Sequence, residues 1–83
     1  MTYGFTVYLK GVTAVTDDLA DRLFESGCDD GTPFSRHGEV AIGFDRDAPS
    51  LEAAISSAVA DVRSAGFAVS RIELDPADLP AIA

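Results

Sequence analysis

The chain has no tryptophan, one histidine, one methionine and one cysteine in 83 residues, and six basic residues against fourteen acidic ones. Each scarcity excludes something. A lone cysteine, Cys28, rules out an internal disulfide, and a reducing intracellular setting is the expectation. One His and one Cys are too few for a zinc site built on nitrogen and sulfur ligands. A formal charge of −8 opposes contact with nucleic acid, whose binding needs Lys and Arg to neutralise phosphates. It equally opposes contact with an anionic bilayer surface. No apolar run approaches the roughly 20 residues that cross a membrane. No basic segment followed by an apolar stretch opens the sequence, so no export signal is read there and the expected location is the cytoplasm.

What is present is enough for one small domain. The apolar fraction is 47%, too high for disorder. A domain of this size buries only roughly 60% of its unfolded surface, so its stability margin is thin and a second copy or a partner would help it. The excess of acid favours solubility or a basic partner.

The order of elements follows from periodicity. Tyr3 to Lys10 alternates, with Phe5, Val7 and Leu9 on one side and Gly4, Thr6 and Tyr8 on the other, which predicts a strand. Thr16 is placed to cap a helix whose first turn carries Asp17 and Asp18. Leu19, Ala20, Leu23 and Phe24 share one face of it, and Gly27 can supply the left-handed stop. Thr32 to Ser35 reads as a short strand, and Pro33 assigns it to an edge. Arg36-His37-Gly38 is the turn, Glu39 to Phe44 the returning strand, and Asp45 to Pro49 the connection. Ser50 caps a second helix with an apolar stripe at Leu51, Ala54, Ile55, Ala58, Val59 and Val62, ended by Gly66. Phe67 to Leu74 is a last strand of ambiguous phase. If Phe67 and Val69 face the core together with Ile72 and Leu74, a bulge near Ser70 must switch the register.

The sum is β-α-β-β-α-β: an α+β, ferredoxin-like two-layer sandwich with a four-stranded antiparallel sheet. The domain is expected over residues 1–75. Residues 76–83, after a possible cap at Asp75 and a proline at Pro76, read as a tail or the start of a linker.

The chemistry-bearing candidates are sparse. Cys28-Asp29-Asp30-Gly31 is the densest polar cluster, but Cys28 follows a helix C-terminus and precedes two acids, both unfavourable to a thiolate. Asp29 and Asp30 can serve their own backbone as turn residues. Asp45 and Asp47 alternate without a third partner, and Asp29-Asp30-Gly31 lacks the spacing of a calcium loop. No nucleophile elbow, phosphate loop or dinucleotide fingerprint is present. No catalytic, metal or cofactor residue is therefore assigned, and the chain is read as a non-enzyme.

A two-layer fold leaves one sheet face without helices. Here that face would carry Thr6, Tyr8, Ala41 and Gly43, with Phe67 and Val69 as further candidates. Lys10, Arg46 and Arg71 are the bases that could surround it, too few for the aromatic-and-basic surface of an RNA-binding sheet. A small, partly apolar face suits subunit or domain contact, against the plain alternative of a solvated face. The candidate contact residues are Tyr8, Cys28, Asp29, Asp30, Asp45, Arg46, Phe67 and Arg71.

The run from Thr16 to Gly31, the run from Phe44 to Ile55, and the pairs Asp61-Val62 and Ala65-Gly66 together resemble a family of small bacterial proteins of actinobacterial type. In that family such a module precedes a helix-turn-helix DNA-binding segment, which begins soon after a stretch like Arg71 to Leu79. The DNA-reading helices have no counterpart in this sequence, where Ala81-Ile82-Ala83 stands at their expected start. The resemblance implies an N-terminal module of a regulator or antitoxin-like protein, without catalytic residues to carry over. The expected role is a non-catalytic module for self-association, as a homodimer, or for contact with a protein partner. A small-molecule or metal sensor near Cys28, Asp45 and Asp47 is the alternative, and a small enzyme the third reading.

Overall fold

In the computed structural model of the chain, residues 1–74 are described; the tail or linker expected over 76–83, and its cap at Asp75, lie outside them. The elements are β1 (Thr2–Lys10), α1 (Asp17–Glu25), β2 (Gly31–Arg36), β3 (Glu39–Asp47), α2 (Leu51–Ser64) and β4 (Ala68–Leu74). The strands form one sheet in the order β2-β3-β1-β4, and every neighbouring pair is antiparallel. This is the ferredoxin-like α+β sandwich, with the long alternating strands β1 and β3 central and the proline-bearing β2 at an edge.

Local chemistry places the helices. The Thr16 hydroxyl accepts from the Leu19 amide at 3.2 Å and the Ser50 hydroxyl from the Ala53 amide at 3.1 Å, so each helix starts on a side-chain cap. Both helices end alike. The Cys28 amide donates to the Leu23 carbonyl and the Phe67 amide to that of Val62, with Gly27 and Gly66 at positive φ between. That is the Schellman closure, and it needs glycine at the left-handed position. The two-residue turn His37-Gly38 has φ of 51° and 76°, the mirror-image geometry that matches strand twist in a hairpin.

The core lies between sheet and helices. Phe5, Val7, Leu9, Val40, Ile42 and Phe44 meet Leu19 and Leu23 of α1 and Ala54, Ala58 and Val62 of α2. Phe5 and Phe44 stack with ring centroids 5.4 Å apart. The alanines of α2 let its backbone approach the sheet closely, at the cost of a thin apolar layer.

The last strand settles its own phase. Tyr8 pairs with Arg71 but Leu9 pairs with Val69, so Ser70 is the extra residue of a bulge. Phe67, Val69, Ile72 and Leu74 all pack against the core as a result. Phe67 and Val69 therefore do not join the helix-free face. A second correction concerns β3. It continues through Asp47, so Asp45-Arg46-Asp47 is strand and not connection.

The β2 edge is blunted. The Asp45 amide donates to the Asp30 carbonyl, and with the pairing of Gly31 to Phe44 and Pro33 to Ile42 this parity turns the amide positions of 31, 33 and 35 outward. The Gly31 amide is spent on the Cys28 carbonyl and Pro33 has none. Extension of the sheet by a strand from another chain is thereby discouraged on this side.

Two glycines in this sheet should respond oppositely to a methyl group. A Cβ on Gly31 would lie 2.6 Å from Ile42 Cγ2 and 2.9 Å from Phe44 Cε1, whereas one on Gly43 meets only Phe34 Cε1, at 3.8 Å. Gly31→Ala is expected to lower stability in urea by about 1–3 kcal/mol by overpacking. Gly43→Ala should leave the urea midpoint unchanged or raise it.

Candidate functional site

Two polar constellations stand out, one under the helices and one on the open sheet face. The first is centred on Arg46. The alternation of Val40, Ile42 and Phe44 carries one step further and points Arg46 to the helix side, where it is only 8% exposed. A buried guanidinium must find partners for all of its N–H groups. It does. Nε and Nη2 hold the two oxygens of Asp30 at 2.8 Å each, Nη1 reaches Asp61 at 2.9 Å and the Ser57 hydroxyl at 3.1 Å, and Nη2 also reaches the Gly27 carbonyl at 2.9 Å. The Asp30 contact is the two-pronged fork that distinguishes arginine from lysine.

The elements explain the convergence. Ser57 and Asp61 lie four apart on α2, one turn along the same face. Gly27 and Asp30 belong to the loop that follows α1. Gly27 is pressed close to Asp61, since a Cβ there would lie 2.9 Å from Oδ2. Arg46 thus ties the α1–β2 loop to α2 across β3. The hydrogen bonds from Arg46 hold the Asp30 carboxyl below the ordinary range, and the two carboxylates hold the guanidinium proton more tightly than usual. With every N–H engaged, Arg46 has no donor left for a ligand, and its role is to position.

Cys28 sits beside this clasp, 3% exposed. Burial pushes its thiol up from the ordinary value, the reverse of what a nucleophile needs. Asp29 is exposed in the same loop. Asp45 and Asp47 are exposed, with Asp45 on the opposite sheet face from Arg46. The sequence grouping of Cys28 with Asp45 and Asp47 is therefore not brought together. Among the described residues no three His, Cys, Asp or Glu side chains converge as a metal would require. Phe67 packs on the core with the Arg22 guanidinium 4.9 Å from its ring centroid. It is half-buried and lies on the helix side of the sheet. A cleft of about 260 Å³ between α1 and β2 is lined by Leu23, Phe24, Cys28, Pro33 and Ile42 among others, and Phe24 stands 66% exposed at its rim.

The second constellation covers half of the open face. Arg71 on β4 lies over Tyr8 on β1, its guanidinium carbon 3.9 Å from the ring centroid. Its guanidinium forks onto Glu39 of β3 at 3.1 and 2.8 Å, and the Tyr8 hydroxyl donates to Glu73 at 3.1 Å. Arg71 lowers the Glu39 carboxyl from its ordinary range through these hydrogen bonds. The cluster shields Tyr8 and Ala41, which are 4% and 1% exposed although they lie on the helix-free side. Tyr8 and Arg71 thus meet each other, as a lid on the upper half of the sheet.

The lower half carries no such lid among the described residues. There Gly4 and Gly43 leave the floor at backbone level beside Thr6, Thr32 and Phe34 of β2 rise on one side, and Glu73 and Asp45 stand at the rim. The concavity measures about 580 Å³. Sequence reasoning named the floor residues of this face but missed Thr32 and Phe34 as its wall. It also missed Arg46 as an interior residue, for which the unbroken period of two through Phe44 was the available signal. Comparison of the chain with known protein families, with characterised proteins and with solved structures finds no match.

Arg46→Met would leave Asp30 and Asp61 facing each other without a counter-ion. Breaking such a pair costs about 3 kcal/mol here, the low end of the usual range, because the two carboxylates are 30% and 31% exposed. Urea denaturation reads it, and an unchanged midpoint would contradict it. The pH dependence has a definite sign. Asp30 titrates lower in the folded chain than its unfolded value of 3.8, so the unfolded chain takes the proton first as pH falls. The stabilisation is complete above that value and is lost as pH drops through the folded pKa; Arg46→Met should flatten this acid limb. For Cys28, alkylation by iodoacetamide followed by mass spectrometry should proceed in the folded protein at the rate of its opening, and rapidly in urea.

Proposed function

We propose that the chain is a non-catalytic protein-contact module that binds through the lower half of its open sheet face. The observation that carries this reading is the division of that face. Its upper half is closed by the stacked Arg71 and its two carboxylate partners, while its lower half is a glycine-floored concavity with one aromatic wall. Small residues at the floor let a partner approach the sheet at backbone distance, and Phe34 offers the apolar anchor around which contacts form. The blunted β2 edge directs contact to the face and not to strand addition at that edge. In the setting implied by the sequence resemblance, the module would be the acidic partner-binding arm of a regulator, and its charge would suppress non-specific DNA contact by an attached basic segment.

The cleft beside Phe24 supports a second reading, a small apolar ligand held between α1 and β2, because its lining is mostly apolar and next to the one buried thiol. A photo-reactive residue separates the two. Placed at Thr32, on the rim of the concavity, and activated in the cells that make the protein, it should give a discrete protein adduct. At the exposed Ser56 of α2 it should give none. Equal labelling at the two positions, or none at Thr32, would defeat the contact proposal.

A further inference from the structure

Resting on the contact reading, we infer that the occupant of the concavity is a basic peptide segment that lays an arginine side chain against Phe34 with its guanidinium between Asp45 and Glu73. Charge decides between occupants. The lining residues include two acids, Asp45 and Glu73, and no base. The chain as a whole carries −8, so a second copy of itself would bring like charge to an acidic rim, and a cationic segment is complementary. The shape is also suitable. Gly43 lies opposite Thr6 and Gly4 opposite Asp45, so the two glycines form a low diagonal across the sheet along which an extended side chain can run between Thr6 and Asp45.

The same sheet already displays the chemistry once. A few residues along β1, Arg71 lies on the Tyr8 ring, with Glu39 and Glu73 accepting from its N–H groups. The concavity holds the same kinds of group, the Phe34 ring and the Asp45 and Glu73 carboxylates, without an arginine of the chain among its described lining residues; the two Glu73 oxygens already accept from Tyr8 and Arg71, and each can accept a further hydrogen bond. Arginine is preferred to lysine because its planar group forks onto a carboxylate while its stem lies along the Phe34 ring.

The test is a titration of the isotope-labelled full chain with a capped arginine-bearing peptide, its lysine counterpart and its glutamate counterpart, followed by amide NMR. The arginine peptide should shift the amides of Gly4, Thr6, Thr32 and Gly43 saturably, with a Kd of about 1 mM or tighter. The lysine peptide should bind about 2–5-fold more weakly, and the glutamate peptide should leave these amides unmoved. Asp45→Asn, at an exposed position, should weaken the arginine peptide about 2–5-fold. Gly43→Val fills the floor with a strand-favouring side chain and should abolish the response while the rest of the spectrum keeps its dispersion. If the shifts fall instead along the acidic first turn of α1 at Asp17 and Asp18 and survive Gly43→Val, binding is diffuse charge attraction and the inference is overturned. If the glutamate peptide moves the groove amides as strongly as the arginine peptide, and Gly43→Val removes both, the contact face stands and its basic specificity falls. If no peptide moves them and Thr32 gives no adduct in cells, the contact reading itself falls.

Discussion

A single guanidinium under the α1–β2 loop fixes the relation between parts of this fold that its small core would hold only loosely. The fully buried positions of α2 are two alanines and one valine, with Leu51 and Ile55 half-buried beside them, a thin stripe with little to set where along the sheet it rests. Arg46 removes that freedom. Its five N–H groups (two on each Nη and one on Nε) are satisfied only when Asp30 and the Gly27 carbonyl, from one side, and Ser57 and Asp61, from the other, arrive together. A buried ion pair adds little net stability over a well-packed apolar replacement, but a mispaired one is expensive. The consequence is specificity of arrangement: displaced positions of α2 strand a charge in the interior.

The clasp also separates the two sides of the sheet. Beneath the helices the polar groups are matched to one another, and among the described residues no buried side-chain oxygen or nitrogen lacks a partner. Cys28, enclosed there, is a packing residue with a weakly acidic thiol. On the helix-free side the matching stops halfway. Arg71 closes the end of the sheet near the hairpin, and among the described residues nothing closes the end near Asp45. A side that is finished and a side that is half finished suggest where an external partner would be accommodated, and the acidic balance of the chain suggests its sign.

Much of the architecture was legible because it is written locally. Thr16 and Ser50 before apolar periodicity, Gly27 and Gly66 after it, and alternation in β1 and β3 each act over a few residues and agree with one another. The bulge was legible only as a condition: Phe67, Val69, Ile72 and Leu74 cannot share a side of a regular strand, and the pairing of β1 with β4 decides that they do share one. Arg46 was not legible in the same way. Asp45-Arg46-Asp47 has the composition of a turn, and only the arrival of Asp30 and Asp61 from elsewhere makes an inward arginine tolerable. The covering of Tyr8 was hidden for a similar reason. Arg71 and Glu39 lie on strands that are not neighbours, with β1 between them, so their pairing exists only once the sheet is assembled. Thr32 and Phe34 became a wall only when the edge position of β2 set them beside Gly43.

The claim on which this account turns is that Arg46 holds the α1–β2 loop closed. Native-state hydrogen exchange of the Cys28 and Gly31 amides measures it most directly, because the first ties the loop to α1 at the Leu23 carbonyl and the second donates within the loop to the Cys28 carbonyl. In the unaltered chain these amides should exchange only through the global unfolding reaction. With Arg46 replaced by methionine they should exchange through a local opening, well before the amides of β1 and β3. Equal protection of the loop and the central strands in both proteins would contradict the account.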